Sequence, residues 1–121
     1  MVLIFGGKYQ GKVEYALKEF GLKESDVSRC ETSIDYSKKI VAGLEEYIWN
    51  CTLKGAEASE TLDMEKLQDK IVICDDVTGG LVPMEKEERA YREMVGRTMM
   101  CLGNEADQVI RVFCGLGHRL K

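Results

Sequence analysis

The residues with the clearest chemical content are Gly6-Gly7-Lys8-Tyr9-Gln10-Gly11-Lys12, which satisfy G-x-x-x-x-G-K. Glycines at these spacings let successive backbone N–H groups turn toward an anion, and a lysine ammonium at the end of the run reaches phosphate oxygens. The pattern therefore predicts a phosphate-binding loop formed by Gly6, Gly7, Lys8, Tyr9, Gln10, Gly11, Lys12 and Val13, with Lys12 as its catalytic cation. The usual loop carries Ser or Thr after the lysine, as a ligand of the Mg²⁺ that bridges two phosphates. Here Val13 stands in that place. Its apolar side chain cannot coordinate metal, so phosphate binding is expected to survive while the usual Mg²⁺ geometry is weakened.

A second acid-bearing segment, Ile71-Val72-Ile73-Cys74-Asp75-Asp76, is an apolar run that ends in carboxylates. Such an ending opposite a phosphate loop can hold Mg²⁺ or its water shell, which makes Asp75 and Asp76 the candidate metal ligands and Asp76 a candidate catalytic residue. Arg89, Arg92 and Arg97 are further candidates for phosphate contact. The i,i+4 pairs Glu85/Arg89 and Glu88/Arg92 also read as ordinary helix supports. The single histidine, His118, lies beside Arg119 and Lys121 and reads as a solvated imidazole. With one His in the chain, Ser-His-Asp and Cys-His nucleophile sets find little support. Tyr47 and Trp49 read as packing residues rather than a base-stacking platform.

These residues need a frame that holds them. Val2-Leu3-Ile4-Phe5 is continuously apolar, as in a strand covered on both faces, and Gly6-Gly7 stops it. Val13, Ala16, Leu17 and Phe20 then recur at helical spacing up to Gly21. Residues 22–33 are polar and turn-like and read as a loop. Ser37, Val41, Leu44, Ile48 and Cys51 predict one long amphipathic helix from Ile34 to Leu53, ending near Gly55. Residues 55–61 read as a polar linker in which Thr61 caps a short helix bearing Leu62, Met64 and Leu67. Ile71 to Cys74 is the second buried strand, and Val77 to Pro83, with Gly79-Gly80 and the only proline, the loop after it. Glu85 to Leu102 is a helix with Tyr91, Met94, Val95, Thr98 and Leu102 inward and Gly103-Asn104 as its stop. Val109 to Cys114 is a third strand, closed by Gly115-Leu116-Gly117. Three apolar strands separated by helices predict an α/β fold, a small P-loop NTPase-like domain with a mainly parallel sheet flanked by helices.

The chain has 121 residues, the length of one domain, and residues 1–121 are read as a single P-loop nucleotide-binding domain. Its 17 basic and 21 acidic residues give a net charge of -4 with no basic cluster, which argues against nucleic acid as a partner. No apolar run approaches the roughly 20 residues that span a bilayer, so no membrane association is expected. Five cysteines without a C-x-x-C pair fit neither a zinc cluster nor a disulfide framework. A cytoplasmic, reducing location is expected.

The sequence resembles the adenosylcobinamide kinase / adenosylcobinamide-phosphate guanylyltransferase family of cobalamin biosynthesis. The resemblance rests on Gly6 to Lys12, on Asp75-Asp76-Val77-Thr78-Gly79-Gly80-Leu81-Val82-Pro83, on Glu88-Arg89-Ala90-Tyr91-Arg92-Glu93-Met94-Val95-Gly96-Arg97, and on Val112-Phe113-Cys114-Gly115-Leu116 through Lys121. It covers roughly residues 1 to 20 and 70 to 121. It implies a P-loop fold that binds GTP or ATP, phosphorylates the aminopropanol hydroxyl of adenosylcobinamide, and assembles as a homo-oligomer, a trimer by resemblance. Family members then transfer GMP through a guanylylated His. Residues 22–69 hold no His, and Glu45 occupies the matching position in Gly43-Leu44-Glu45-Glu46-Tyr47. A carboxylate forms no phosphoramidate, so guanylyl transfer by that route is expected to be absent. The alternative expectation is a non-catalytic homologue that senses or sequesters a nucleotide or a corrinoid.

Overall fold

The computed structural model describes residues 1–77 and 85–121. The elements in chain order are β1 (Val2–Gly6), α1 (Lys12–Phe20), a 3₁₀ turn (Glu24–Asp26), β2 (Val27–Arg29), β3 (Ile40–Ala42), α2 (Leu44–Lys54), α3 (Ala58–Thr61), α4 (Met64–Leu67), β4 (Ile71–Asp75), α5 (Lys86–Glu105), β5 (Gln108–Phe113) and β6 (Leu116–Arg119). Six strands form one sheet in the order β2-β3-β4-β1-β5-β6. Every pairing is parallel except β5 with β6. The fold is thus α/β with a mainly parallel sheet flanked by helices.

The continuous apolar runs follow from burial on both faces. Leu3, Val41, Val72 and Cys74 pack toward α2, α4 and α5, while Ile4, Ile40, Ile71, Ile73, Ile110 and Val112 pack toward α1. Alternation along each strand therefore feeds two separate cores. In α5, Met94, Val95, Thr98 and Leu102 are buried as the spacing predicts. Thr98 is satisfied there by donating its hydroxyl proton to the Met94 carbonyl at 2.7 Å.

Several expected boundaries move. The helix expected over Ile34–Leu53 is a strand, β3, followed by α2. Ile40, Val41 and Ala42 are all buried in succession, which suits a two-faced strand and not a helical stripe, and Ile40 and Val41 pair with Ile71 and Val72. Gly43 separates the two elements at φ +73, a left-handed conformation that glycine adopts without steric cost. The segment 22–33 is more than a loop, since it carries the 3₁₀ turn and the edge strand β2. The linker 55–61 contains the one-turn α3, and α4 is capped by Asp63, whose carboxylate accepts from the Lys66 amide at 3.1 Å, rather than by Thr61. The Thr61 hydroxyl instead meets Tyr47 Oη at 2.7 Å. Helix α5 continues through Gly103-Asn104 to Glu105.

Gly115-Leu116-Gly117 does not close the last strand but turns it. Cys114 and Gly115, at φ +52 and +74, form a two-residue connection of the kind that matches strand twist, and β6 returns along β5. The expected loop from Val77 to Pro83 lies, beyond Val77, outside the described residues. Among the described residues no helix is long and apolar enough to cross a membrane.

Candidate functional site

After β1 the chain passes through α1 to β2 at one edge of the sheet, and after β4 it passes through α5 to β5 on the other side of β1. The direction reverses between β1 and β4, which are neighbours. In open α/β sheets ligands bind at such a reversal, beyond the carboxyl ends of the strands. Here that crevice holds both predicted segments. Gly6 ends β1, Asp75 ends β4, and the two residues are in register.

Lys12 opens α1, and its ammonium turns back into the crevice. Nζ lies 2.6 Å from Asp75 Oδ1 and donates to the Gly7 carbonyl at 2.7 Å. The Lys12 side chain is only 8% exposed and that of Asp75 15%, so this is an ion pair held largely out of water. Gly11 caps α1 at φ +82 with no side chain on the helix's first N–H groups, which leaves those donors to solvent or a ligand. Tyr9 is also left-handed, at φ +61, a conformation that costs a non-glycine residue about 1 kcal/mol. Its ring is fully exposed at the rim.

The loop is anchored on its far side by the β5–β6 turn. Gln10 accepts from the Cys114 amide through Oε1 at 2.7 Å and from the Gly115 amide through its carbonyl at 2.8 Å. A polar cavity of about 290 Å³ opens beside Lys12, between Tyr9, Arg29, Gly43, Glu45 and Asp75. A similar cavity of about 340 Å³ between Met1, Phe20, Lys39 and Ile71 sits at the opposite ends of the strands, away from the crevice.

The two candidate acids part company. Asp75 shares its sheet face with Ile71 and Ile73, the face that packs on α1, and so meets Lys12. Asp76 donates its amide to the Gly6 carbonyl at 2.7 Å and borders a different, apolar cavity with Phe5 and Met99. Among the described residues no three His, Cys, Asp or Glu groups converge on a metal position. Asp75 is engaged by Lys12, and Val13 offers no metal donor. The loop, a helix start without a side-chain cap and the Lys12 ammonium present donors of the kind that can hold an anion.

Two cavity residues have roles that the sequence did not reveal. Glu45, in the first turn of α2, accepts the Asp75 amide through Oε1 at 2.9 Å and so holds the end of β4 in place. Arg29, at the end of β2, reaches the cavity rim while paired with Glu24 at 2.8 Å. Among the arginines of α5, Arg97 is engaged by Glu57 at 3.0 Å and ties α5 to the residue before α3. None of the three lines the Lys12 cavity. Trp49 packs edge-on against Tyr91, with centroids 5.2 Å apart, and His118 is exposed on β6. Cys30, Cys51 and Cys74 are buried, and burial, with the Glu45 charge nearby, pushes the Cys30 thiol up to about 12.

Burial raises the Glu45 carboxyl above the ordinary glutamate value, and the Asp75 charge adds to that rise against the opposing pull of the Asp75 amide and Lys12. The folded state thus holds the Glu45 proton to higher pH than the unfolded chain does. Its stability cost is absent below the unfolded pKa of about 4.3 and grows as pH rises toward the folded value. Glu45→Gln keeps an acceptor for the Asp75 amide and removes the charge. Thermal melts should therefore find this variant more stable than wild type at pH 7, with the difference vanishing below pH of about 4.

No model of a known protein family and no curated protein matches the chain.

Proposed function

We propose that the chain is a P-loop NTPase-like domain that binds the phosphates of GTP or ATP on the loop from Gly6 to Val13. One observation carries the reading: a buried lysine ammonium at the start of an uncapped helix, facing a polar cavity at the sheet's reversal point. Bound phosphate draws Lys12 Nζ away from the Gly7 carbonyl, and the first amides of α1 supply the remaining donors.

The resemblance to the adenosylcobinamide kinase family extends this reading to phosphoryl transfer onto the hydroxyl of adenosylcobinamide. Guanylyl transfer has no nucleophile, because Glu45 stands where that family has His and is committed to the Asp75 amide. Val13 favours a second reading, nucleotide or corrinoid binding without turnover. Its side chain packs into the core beneath α1 and offers no metal ligand.

Calorimetric titration with MgGTP and MgATP, on wild type and Lys12→Ala, tests the proposal. Saturable binding that weakens about 100-fold or more in Lys12→Ala, a loss of roughly 3 kcal/mol, is the expected result. Absence of binding at millimolar nucleotide overturns it. Product formation with adenosylcobinamide separates the enzymatic reading from the binding one.

A further inference from the structure

The cavity of about 340 Å³ at the amino ends of the strands joins two chemistries. Val2, Phe20, Leu22 and Ile71 give it apolar walls, and Lys39 and Lys70 line it as well. The fold brings these residues together by register. Val2 opens β1 beside Ile71, which opens β4, while Phe20 ends α1 and Leu22 follows its Gly21 cap. Ile40 of β3 pairs with Ile71, so the residues just before them, Lys39 and Lys70, arrive side by side. The Ile71 amide donates to the Lys39 carbonyl at 3.0 Å.

Two neighbouring ammonium groups here have little negative charge to meet. The Lys70 side chain is only 13% exposed, and its nearest carboxylate oxygen, Asp69 Oδ1, lies 3.8 Å from Nζ on a side chain that is itself 77% exposed. That separation is too long for a hydrogen bond. Asp35 also acts on Lys70 through its charge, but its carboxylate is taken by the Ser37 amide at 2.9 Å and the Ser37 hydroxyl at 2.6 Å. Lys39 Nζ donates to the Asp69 backbone carbonyl, which carries no net charge. The Met1 ammonium at the same edge is paired with Asp107 at 2.8 Å. A largely enclosed ammonium without a hydrogen-bond partner is costly, and an anion in the cavity removes that cost.

The backbone decides which anion. Phosphate sites draw on free amides, whereas the amides of Val2, Leu22, Lys70 and Ile71 are all bonded to backbone carbonyls at 2.9–3.0 Å. The donors on offer are two lysine heads, a match for the two oxygens of a carboxylate, and the apolar walls suit the rest of such a molecule. We propose that this cavity binds a small carboxylate with an apolar body, its oxygens on Lys70 and Lys39 and its body against Phe20, Leu22, Val2 and Ile71. The site lies at the opposite end of the sheet from Lys12, and the inference is independent of nucleotide binding.

A ¹⁵N-resolved titration of the whole chain with hexanoate, with its neutral analogue hexanamide and with acetate, each to about 20 mM at constant ionic strength, tests it. The expected result is saturable hexanoate shifts at the Leu22, Lys39, Lys70 and Ile71 amides that leave Gly7 to Val13 in place, with the other two probes weaker by about tenfold or more. Lys70→Met keeps the aliphatic stem, removes the charge and should weaken hexanoate by about tenfold. Lys39→Met, at an exposed position, should weaken it too, and it carries the comparison if circular dichroism finds Lys70→Met unfolded. Absence of saturable shifts at those four amides overturns the proposal. So does acetate binding as tightly as hexanoate, which marks an adventitious ion only, hexanamide binding as tightly, or unchanged affinity in the folded lysine variants.

Discussion

Alanine at Gly6 is expected to lower the melting temperature by roughly 10 °C or more, the equivalent of about 3 kcal/mol, which thermal denaturation by circular dichroism measures. A Cβ built on Gly6 falls 2.4 Å from the Val112 carbonyl oxygen. That oxygen is backbone in β5, inside the sheet, and cannot swing aside as a side chain would. Relief requires β1 and β5 to separate where β1 hands over to the loop, so the substitution damages the fold and the candidate site together. Gly7→Ala is the control. Its Cβ meets only Gln10 Cγ at 3.8 Å, an ordinary contact, so its melting point should stay within a few degrees of wild type.

Asp75→Asn comes second in expected effect. Lys12 is buried, and Asp75 is the carboxylate 2.6 Å from its ammonium. Removing one partner of such a pair leaves the Lys12 charge without its nearest counter-ion, at a cost of about 3 kcal/mol, whereas replacing both with apolar groups is often neutral. Urea denaturation should accordingly place Asp75→Asn well below wild type, with the double variant Lys12→Met/Asp75→Asn recovering most of the loss. The proposed ligand makes the prediction sharper. A bound triphosphate supplies the missing counter-charge, so saturating nucleotide should stabilise Asp75→Asn more than it stabilises wild type. In Lys12→Ala, nucleotide should stabilise little, because binding stabilises only in proportion to affinity.

Much of the frame could be read in advance because the buried strands are long and apolar on both faces. β1 and β4 stand out as Val2–Phe5 and Ile71–Cys74, and α1 is bracketed by Gly11 and Gly21, whereas β5, expected over Val109–Cys114, ends at Phe113 with Cys114 in the turn and exposes Arg111 and Phe113 on one face. The strands that escaped notice have no such signature. β2 and β3 have three residues each, too few to display a period of two, and the apolar positions of β3 fall by accident on the helical spacing that continues into α2. Only the pairing of Ile40 and Val41 with β4 decides between the two. β6 is solvent-exposed along its length and offers no hydrophobic signal.

At the site, the loop and its lysine were legible because glycine spacing and a terminal ammonium are local properties of the chain. Which acid faces Lys12 was also written in the sequence, through parity. Ile71, Ile73 and Asp75 alternate onto one face, so a strand that buries its isoleucines under α1 presents Asp75, and not Asp76, to the residue that opens α1. The bond from the Asp75 amide to Glu45 was not legible. It joins residues 30 apart and depends on β3 lying next to β4, which the helical reading of Ile34–Leu53 removes.

The most direct measurement of the central claim is a ¹⁵N-resolved titration of the folded protein with MgGTP and with MgATP, following each backbone amide. Phosphate held by the loop predicts saturable shifts concentrated at Gly7 to Val13 and at Asp75, with smaller ones at Cys114 and Gly115 through the Gln10 bonds. Saturating nucleotide that leaves the Gly7 to Val13 amides in place, or moves instead those around Lys39 and Ile71 at the other end of the sheet, contradicts the account.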